Sequence, residues 1–171
     1  TFIAGIIGAK TNSTVTVSGV CQNVGMVSYR YFTPDPDHPT SSVFTWPNIC
    51  NAINSVNNQN VPIINFSGGG YSNYYEPPLT ISPVQSAISS YSGLFVCSAG
   101  NLGQNNDSTP HYPSSYPLDN IIVVGASTTS DDRWSSSNYG NNSVDLFAPG
   151  NNVYSTTNIG GYENNSGTSF A

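Results

Sequence analysis

The residue types best suited to chemistry stand at the end of the sequence, in Asn164-Asn165-Ser166-Gly167-Thr168-Ser169-Phe170-Ala171. Gly-Thr-Ser before an apolar pair reads as a nucleophile turn. Gly167 lets the backbone turn tightly, and Ser169 then stands at the mouth of a helix. There its hydroxyl faces a cleft and its own N–H is an unpaired donor. The competing reading is a Thr/Ser helix cap, which capping preference alone favours. Two other turns add weight. Ala99-Gly100-Asn101 follows an apolar run, and an asparagine amide fixed beside a strand end can donate to a developing oxyanion. Ser67-Gly68-Gly69-Gly70 is either a flexible turn, a phosphate-cradling loop, or a glycine edge that pairs with an extended peptide. A phosphate loop should open a helix, whereas Tyr71-Ser72-Asn73-Tyr74-Tyr75-Glu76-Pro77-Pro78 is no helix start. A peptide edge fits better, because glycine lets a second backbone approach closely.

These turns need elements to position them. Val24–Phe32 reads as a strand running into a loop with Pro34, Pro36 and Pro39. A helix is expected from about Ser42 to Asn58, with Trp46, Ile49, Ile53 and Val56 on one face. Val61–Phe66 reads as a short strand ended by the glycines. Ser82-Pro83-Val84-Gln85 carries the signals of a helix start, namely a serine cap, proline at the first position and glutamine closing a capping box. Val84, Ala87, Ile88 and Tyr91 would form its buried face and Gly93 its stop. Leu94–Ser98, Ile121–Val124 and Val144–Phe147 read as further strands, the first of the fully apolar, parallel type. Strands alternating with helices predict an α/β fold of three layers, a mostly parallel sheet with helices on both faces. In such sheets sites form beyond the carboxyl ends of the strands, where all three turns fall.

Composition narrows the function. The chain has 171 residues, which predicts a single domain spanning 1–171. With a net charge of −6 and only Lys10, Arg30 and Arg133 as cations, it cannot neutralise a phosphate backbone, so nucleic acid is not an expected partner. No apolar run is long enough to cross a bilayer. Asn-x-Ser/Thr patterns at Asn12, Asn65, Asn106, Asn141 and Asn164 lean towards a secretory route. Cys97 lies in an apolar run and reads as a buried free thiol. A Cys21–Cys50 bridge is compatible with the sequence and not dictated by it. Tyr112-Pro113 and Tyr116-Pro117 are the candidates for a cis peptide. His38 with Asp35 and Asp37 reads as a solvated acidic loop rather than a metal site, because the prolines hold it extended.

The chain resembles the subtilisin-like serine peptidases (subtilases) along its whole length. Thr1–Ala9 is similar to the segment after the family's catalytic histidine, in the motif His-Gly-Thr-x-x-Ala-Gly. Ile64-Asn65-Phe66-Ser67-Gly68-Gly69 resembles its substrate-binding strand, and Ser98-Ala99-Gly100-Asn101 its oxyanion turn. Tyr112–Pro117 with Ile121–Ala126 is similar to its Tyr-Pro-Ala-x-Tyr…Val-Gly-Ala block. Ser137-Asn138-Tyr139-Gly140 with Val144–Gly150 is similar to its Ser-Asn-x-Gly…Asp-x-x-Ala-Pro-Gly block. Ser166–Ala171 resembles Gly-Thr-Ser-Met-Ala, with Phe170 in place of Met.

The resemblance implies a serine-type endopeptidase acting on polypeptides. Ser169 would be the nucleophile, with Asn101 and the Ser169 N–H as the oxyanion hole. Ser67, Gly68 and Gly69 would hold the substrate backbone, and Ala99 and Gly100 would line the pocket for the residue before the cut. His111 would sit near that pocket's floor or, on its loop context alone, be an ordinary loop histidine. No cofactor is implied for the reaction, and calcium sites remain open for a longer parent. The family order is Asp, His, Ser, and neither His38 nor His111 matches the histidine motif. The expectation is therefore an internal piece of a subtilase catalytic domain, inactive alone, with its Asp and His upstream of Thr1. The alternative is a non-catalytic relative that binds extended peptides in the same groove.

Overall fold

Four parallel strands carry the architecture. β3 (Ile63–Phe66), β5 (Leu94–Ser98), β7 (Ile121–Ser127) and β8 (Leu146–Pro149) lie side by side in that order. Their register pairs Ile64 with Phe95, Cys97 with Val123, and Ala126 with Ala148. The computed structural model describes residues 1–11, 17–34, 42–44, 46–71 and 83–171. The remaining elements, in chain order, are α1 (Phe2–Gly8), β1 (Phe32–Pro34), β2 (Ser42–Phe44), α2 (Trp46–Asn58), β4 (Gly70–Tyr71), α3 (Pro83–Ser89), β6 (His111–Tyr112), β9 (Val153–Thr156) and β10 (Tyr162–Asn165).

The expected α/β fold is present, and the core explains it. Ile49, Ile53 and Val56 recur on one face of α2, and Val84, Ala87 and Ile88 on one face of α3. Both faces close over Phe95, Cys97, Ile121 and Val123 of the sheet. Burial of that many large apolar side chains, each contributing roughly 1.5–3 kcal/mol, outweighs the weak intrinsic helix propensity of a segment as short as α3. Burial also sets the chemistry of Cys97. It pushes the thiol up to about 12, with the Asp145 charge adding to it, so this cysteine is a packed side chain and not a nucleophile. All three cysteines are free thiols, and Cys21 and Cys50 form no bridge.

Several boundaries differ from the sequence expectation. Residues 24–31 form no strand, and Val24, Met26 and Val27 stay exposed. Alternating apolar residues make a strand only where a ladder partner exists, and the partnered stretch begins at Phe32. That partner is β2, which pairs antiparallel with β1 over Ser42–Phe44, the residues expected to begin a helix. α2 begins at Trp46 instead, and Pro47 supplies the reason. In a helix starting at Ser42, Pro47 would remove an interior hydrogen bond and clash with the carbonyl four residues earlier. In the first turn its missing N–H costs nothing. α3 ends at Ser89, not at Gly93. There Tyr91 turns inward, its hydroxyl donating to the Val61 carbonyl at 2.6 Å, and the Asn120 amide donates to the carbonyls of Ile88 at 2.8 Å and Tyr91 at 3.1 Å. Ser82, the expected cap of α3, and the loop of His38, Asp35 and Asp37 lie outside the described residues. β7 and β8 run further than expected, to Ser127 and Pro149. Of the two Tyr-Pro bonds, Tyr112–Pro113 is cis. No helix among the described residues is long and apolar enough to cross a membrane.

Candidate active site

The three turns meet beyond the carboxyl ends of β3 and β5. Ser67 follows β3, Ala99-Gly100-Asn101 follows β5, and the β9–β10 hairpin feeds directly into Ser166–Ser169. The Ser169 turn is closed by the Phe170 N–H on the Gly167 carbonyl at 3.1 Å and tied back by the Gly167 N–H on the Gly150 carbonyl at 2.8 Å. Ser67 and Ser169 face each other. The Ser67 hydroxyl donates to the Ser169 carbonyl at 3.0 Å, and the Ser169 hydroxyl reaches towards the Ser67 carbonyl at 3.4 Å. That second contact is long for a hydroxyl, so the Ser169 Oγ is lightly held.

Thr168 joins the Ser169 turn to the Asn101 turn. Its N–H donates to Asn101 Oδ1 at 2.8 Å, and its hydroxyl donates to the same oxygen at 2.9 Å. The Thr168 Oγ1 also accepts the Gly100 N–H at 3.2 Å. Two donors on one atom identify it as the carbonyl oxygen and fix the sense of the amide. The Nδ2 group then lies in the same plane, on the other side of Cγ. It comes within 3.8 Å of the point where a Cβ on Gly167 would stand. Asn101 is exposed while Thr168 is buried, so a locked base presents an amide to solvent beside the Ser169 turn.

His111 is buried, not a solvated loop histidine. Its Nδ1 lies 2.8 Å from the Ser114 Oγ, and that hydroxyl donates to the His111 carbonyl, also at 2.8 Å. The ring stands edge-on to Tyr71 with centroids 5.2 Å apart. It touches the positions a Cβ would take on Gly69 and on Gly100, so it sits between the two glycine turns. Burial lowers its pKa from 6.5 to about 4. The folded protein therefore keeps this ring neutral where the unfolded chain takes up a proton. The stability from this difference is complete above pH 6.5 and is lost as the pH falls towards 4, by about 3 kcal/mol in all. Urea midpoints at pH 7.5 and pH 5 should show the loss, and His111→Gln should flatten the difference. An equal slope in both proteins would contradict this origin.

A sequence model of the subtilase family (peptidase S8) matches residues 1–171, the whole chain. The chain belongs to the subtilase family. It is 30% identical to thermitase of Thermoactinomyces vulgaris over 174 residues, covering all of this chain and 56% of thermitase. It is 35% identical to subtilisin amylosacchariticus of Bacillus subtilis subsp. amylosacchariticus over 173 residues, covering all of this chain and 42% of that protein. Among solved structures, a cold-adapted subtilisin-like serine proteinase superposes with a TM-score of 0.73 at 32% identity, over 99% of this chain and 55% of that one. The chain thus spans about half the length of these relatives, or less.

Some residues of this subtilase that shape the site were not evident from sequence. Asn138 is wholly buried. Its Nδ2 donates to the Tyr71 hydroxyl at 2.7 Å and to Asn106 Oδ1 at 2.9 Å. Its Oδ1 accepts the N–H groups of Leu102 at 3.0 Å and Gln104 at 3.1 Å, and its own N–H donates to the Gly100 carbonyl at 2.9 Å. Asn106 in turn donates to the Ala99 carbonyl at 2.8 Å. The Ala99–Asn101 turn is therefore clamped from both sides by two buried amides with satisfied hydrogen bonds. Asn106, in one of the Asn-x-Ser/Thr patterns, is only 1% exposed, which removes it from the glycan acceptors. Next to it, the Ser143 hydroxyl at 2.7 Å holds the Asp107 carboxyl below the usual range, and that carboxylate also accepts the Asn142 N–H. No group of three or more His, Cys, Asp or Glu suited to a metal ion occurs among the described residues.

Proposed function

We propose that this chain provides the nucleophile and oxyanion hole of a serine endopeptidase acting on polypeptides. Ser169 attacks the carbonyl carbon of the scissile bond through its Oγ, and the proton leaves to a base. The negative charge that develops on the carbonyl oxygen is met by Asn101 Nδ2 and the Ser169 N–H. Collapse of this intermediate expels the amine, which takes the proton back from the base, and leaves an acyl group on Ser169 that water then removes. Ser67, Gly68 and Gly69 hold the substrate backbone, and Ala99 and Gly100 form the facing wall. The reaction needs no cofactor. The observation that carries the reading is the Thr168 lock, which fixes the Asn101 amide and the Ser169 turn in one frame.

His111 is too weak a base for this role, since a ring with a pKa of about 4 holds a proton poorly near neutrality. The family motif puts its histidine two residues before the position matched by Thr1. Thr1 occupies the N-cap position of α1, whose first residue, Phe2, packs its ring against Phe170 with centroids 4.6 Å apart. A histidine preceding Thr1 would thus enter beside the Ser169 turn. The test is covalent labelling by a fluorophosphonate. A protein in which a His-Gly precedes Thr1 should label at Ser169 and Ser169→Ala should not. A folded, intact protein left unmodified would overturn the proposal.

A further inference from the structure

We infer that Arg133 is a positioning residue for the oxyanion hole. Its guanidinium orients the peptide group that holds the Ala99–Asn101 turn, and so sets the aim of the Asn101 amide. The inference rests on the peptidase reading above and adds to it a residue that stands apart from Ser169 and Asn101.

Arg133 is mounted on the sheet. It bridges antiparallel to Ser127, the last residue of β7, and its neighbour Trp134 donates its N–H to the Ala126 carbonyl at 2.9 Å. From there its Nη1 reaches the carbonyls of Ser137 at 2.6 Å, Ser135 at 3.2 Å and Trp134 at 3.3 Å. Its Cζ also lies 4.6 Å from the centre of the Tyr139 ring. One planar cation thus grips the segment on both sides of Asn138. The Ser137 contact is the shortest of the three, and a charged donor makes such a bond a strong one.

That contact bears directly on the site. The Ser137 carbonyl and the Asn138 N–H belong to one peptide group, which is trans and therefore flat, with the two groups pointing opposite ways. Arg133 holds the carbonyl, and the N–H donates to the Gly100 carbonyl at 2.9 Å. A cation on the carbonyl polarises the peptide and strengthens its N–H as a donor. The Gly100 carbonyl is in turn one end of the peptide group that carries the Asn101 nitrogen. Two flat peptide groups therefore lie between the guanidinium and the backbone of Asn101. The Asn138 side chain grips the same turn further on, through the N–H groups of Leu102 and Gln104. Without Arg133 the 137–138 peptide can tilt, and the contacts from Asn138 to the turn tilt with it. The Asn101 amide then meets a developing oxyanion off its best line. Lysine is no substitute, because one ammonium cannot span these carbonyls and lie flat over Tyr139 at once.

The experiment measures peptide cleavage by the intact protein and by its Arg133→Met variant, each with and without Asn101→Ala. Arg133→Met should lower kcat by about tenfold, the scale of coupling within one hydrogen-bond network, with KM within about twofold of the wild type. Arg133→Lys should lower kcat in the same direction, and it takes the place of the methionine variant should that one fold poorly. In the Asn101→Ala background the same substitution of Arg133 should change kcat by less than about twofold, because the amide that it aims is gone. An equal loss of kcat in both backgrounds would mean that Arg133 only supports the fold. An unchanged kcat in folded Arg133→Met and Arg133→Lys would remove Arg133 from the site. Either result overturns the inference and leaves the peptidase reading intact. Fluorophosphonate labelling of the wild type separates the two levels. Folded wild-type protein left unlabelled at Ser169 would overturn both.

Discussion

Asn101→Ala should lower kcat of the intact enzyme by about 10²–10³ with little change in KM, a range borrowed from a subtilisin asparagine in the same role. The split between kcat and KM follows from when the amide acts. In the proposed role Nδ2 meets charge that exists only in the transition state, so the ground-state complex hardly notices its loss. Alanine does a second thing, however. It removes the oxygen that accepts both the N–H and the hydroxyl of Thr168, and Thr168 is buried. Two stranded donors would cost about 1–3 kcal/mol each, and a loosened turn could lower kcat without any oxyanion chemistry. Asn101→Asp separates the effects. A carboxylate keeps an oxygen for Thr168 and replaces the donor with a negative charge facing the oxyanion. That variant should lose at least as much kcat as Asn101→Ala while melting close to the wild type. Steady-state kinetics with thermal denaturation of both variants decides it. An Asn101→Asp enzyme within a few-fold of wild-type kcat would remove Asn101 from the oxyanion hole.

The same pair of residues shows what local sequence can and cannot reveal. Ser169 and Asn101 stood out because each occupies a turn beside an apolar strand or a Gly-Thr-Ser signal. β5 was legible because five consecutive residues are suited to a central strand. α2 was legible over its apolar stripe and wrong at its start, where Pro47 should have moved the boundary to Trp46. β1 and β2 left no signal, since a three-residue ladder carries too little periodicity to read. Asn106 and Asn138 were hidden for a different reason. An asparagine in a loop rich in Asn, Ser and Gly reads as surface, and the family-like Ser-Asn-x-Gly block around Asn138 gives that residue no role. These two are buried because their hydrogen-bond partners, Tyr71, Ala99, Leu102 and Gln104 among them, are brought together by the fold. His111 lay between these cases. Ser114, three residues on, was the local sign that its Nδ1 could be satisfied inside the protein.

Gly100→Ala should be strongly destabilising, by about 3–5 kcal/mol, or about 10 °C in Tm for a chain of this size. Two costs combine. The residue has φ +105, a conformation in which a Cβ crowds the backbone at about 1–2 kcal/mol. The new methyl would also stand 2.5 Å from Asn138 Nδ2 and 3.1 Å from its Cγ. Asn138 cannot yield cheaply, because its side chain is wholly buried and tied to Tyr71, Asn106, Leu102 and Gln104. Moving it would strand several polar groups in the interior. Gly160→Ala isolates the first cost. Gly160 has φ +86, and a Cβ there meets nothing within 4 Å. That variant should lose only about 1–2 kcal/mol. Gly100→Ala should further depress kcat, since the Gly100 N–H helps fix the Thr168 hydroxyl that orients Asn101. Equal losses of stability in the two variants would mean that backbone conformation alone demands glycine at position 100. Asn138 would then not be the clamp that holds the oxyanion turn in place.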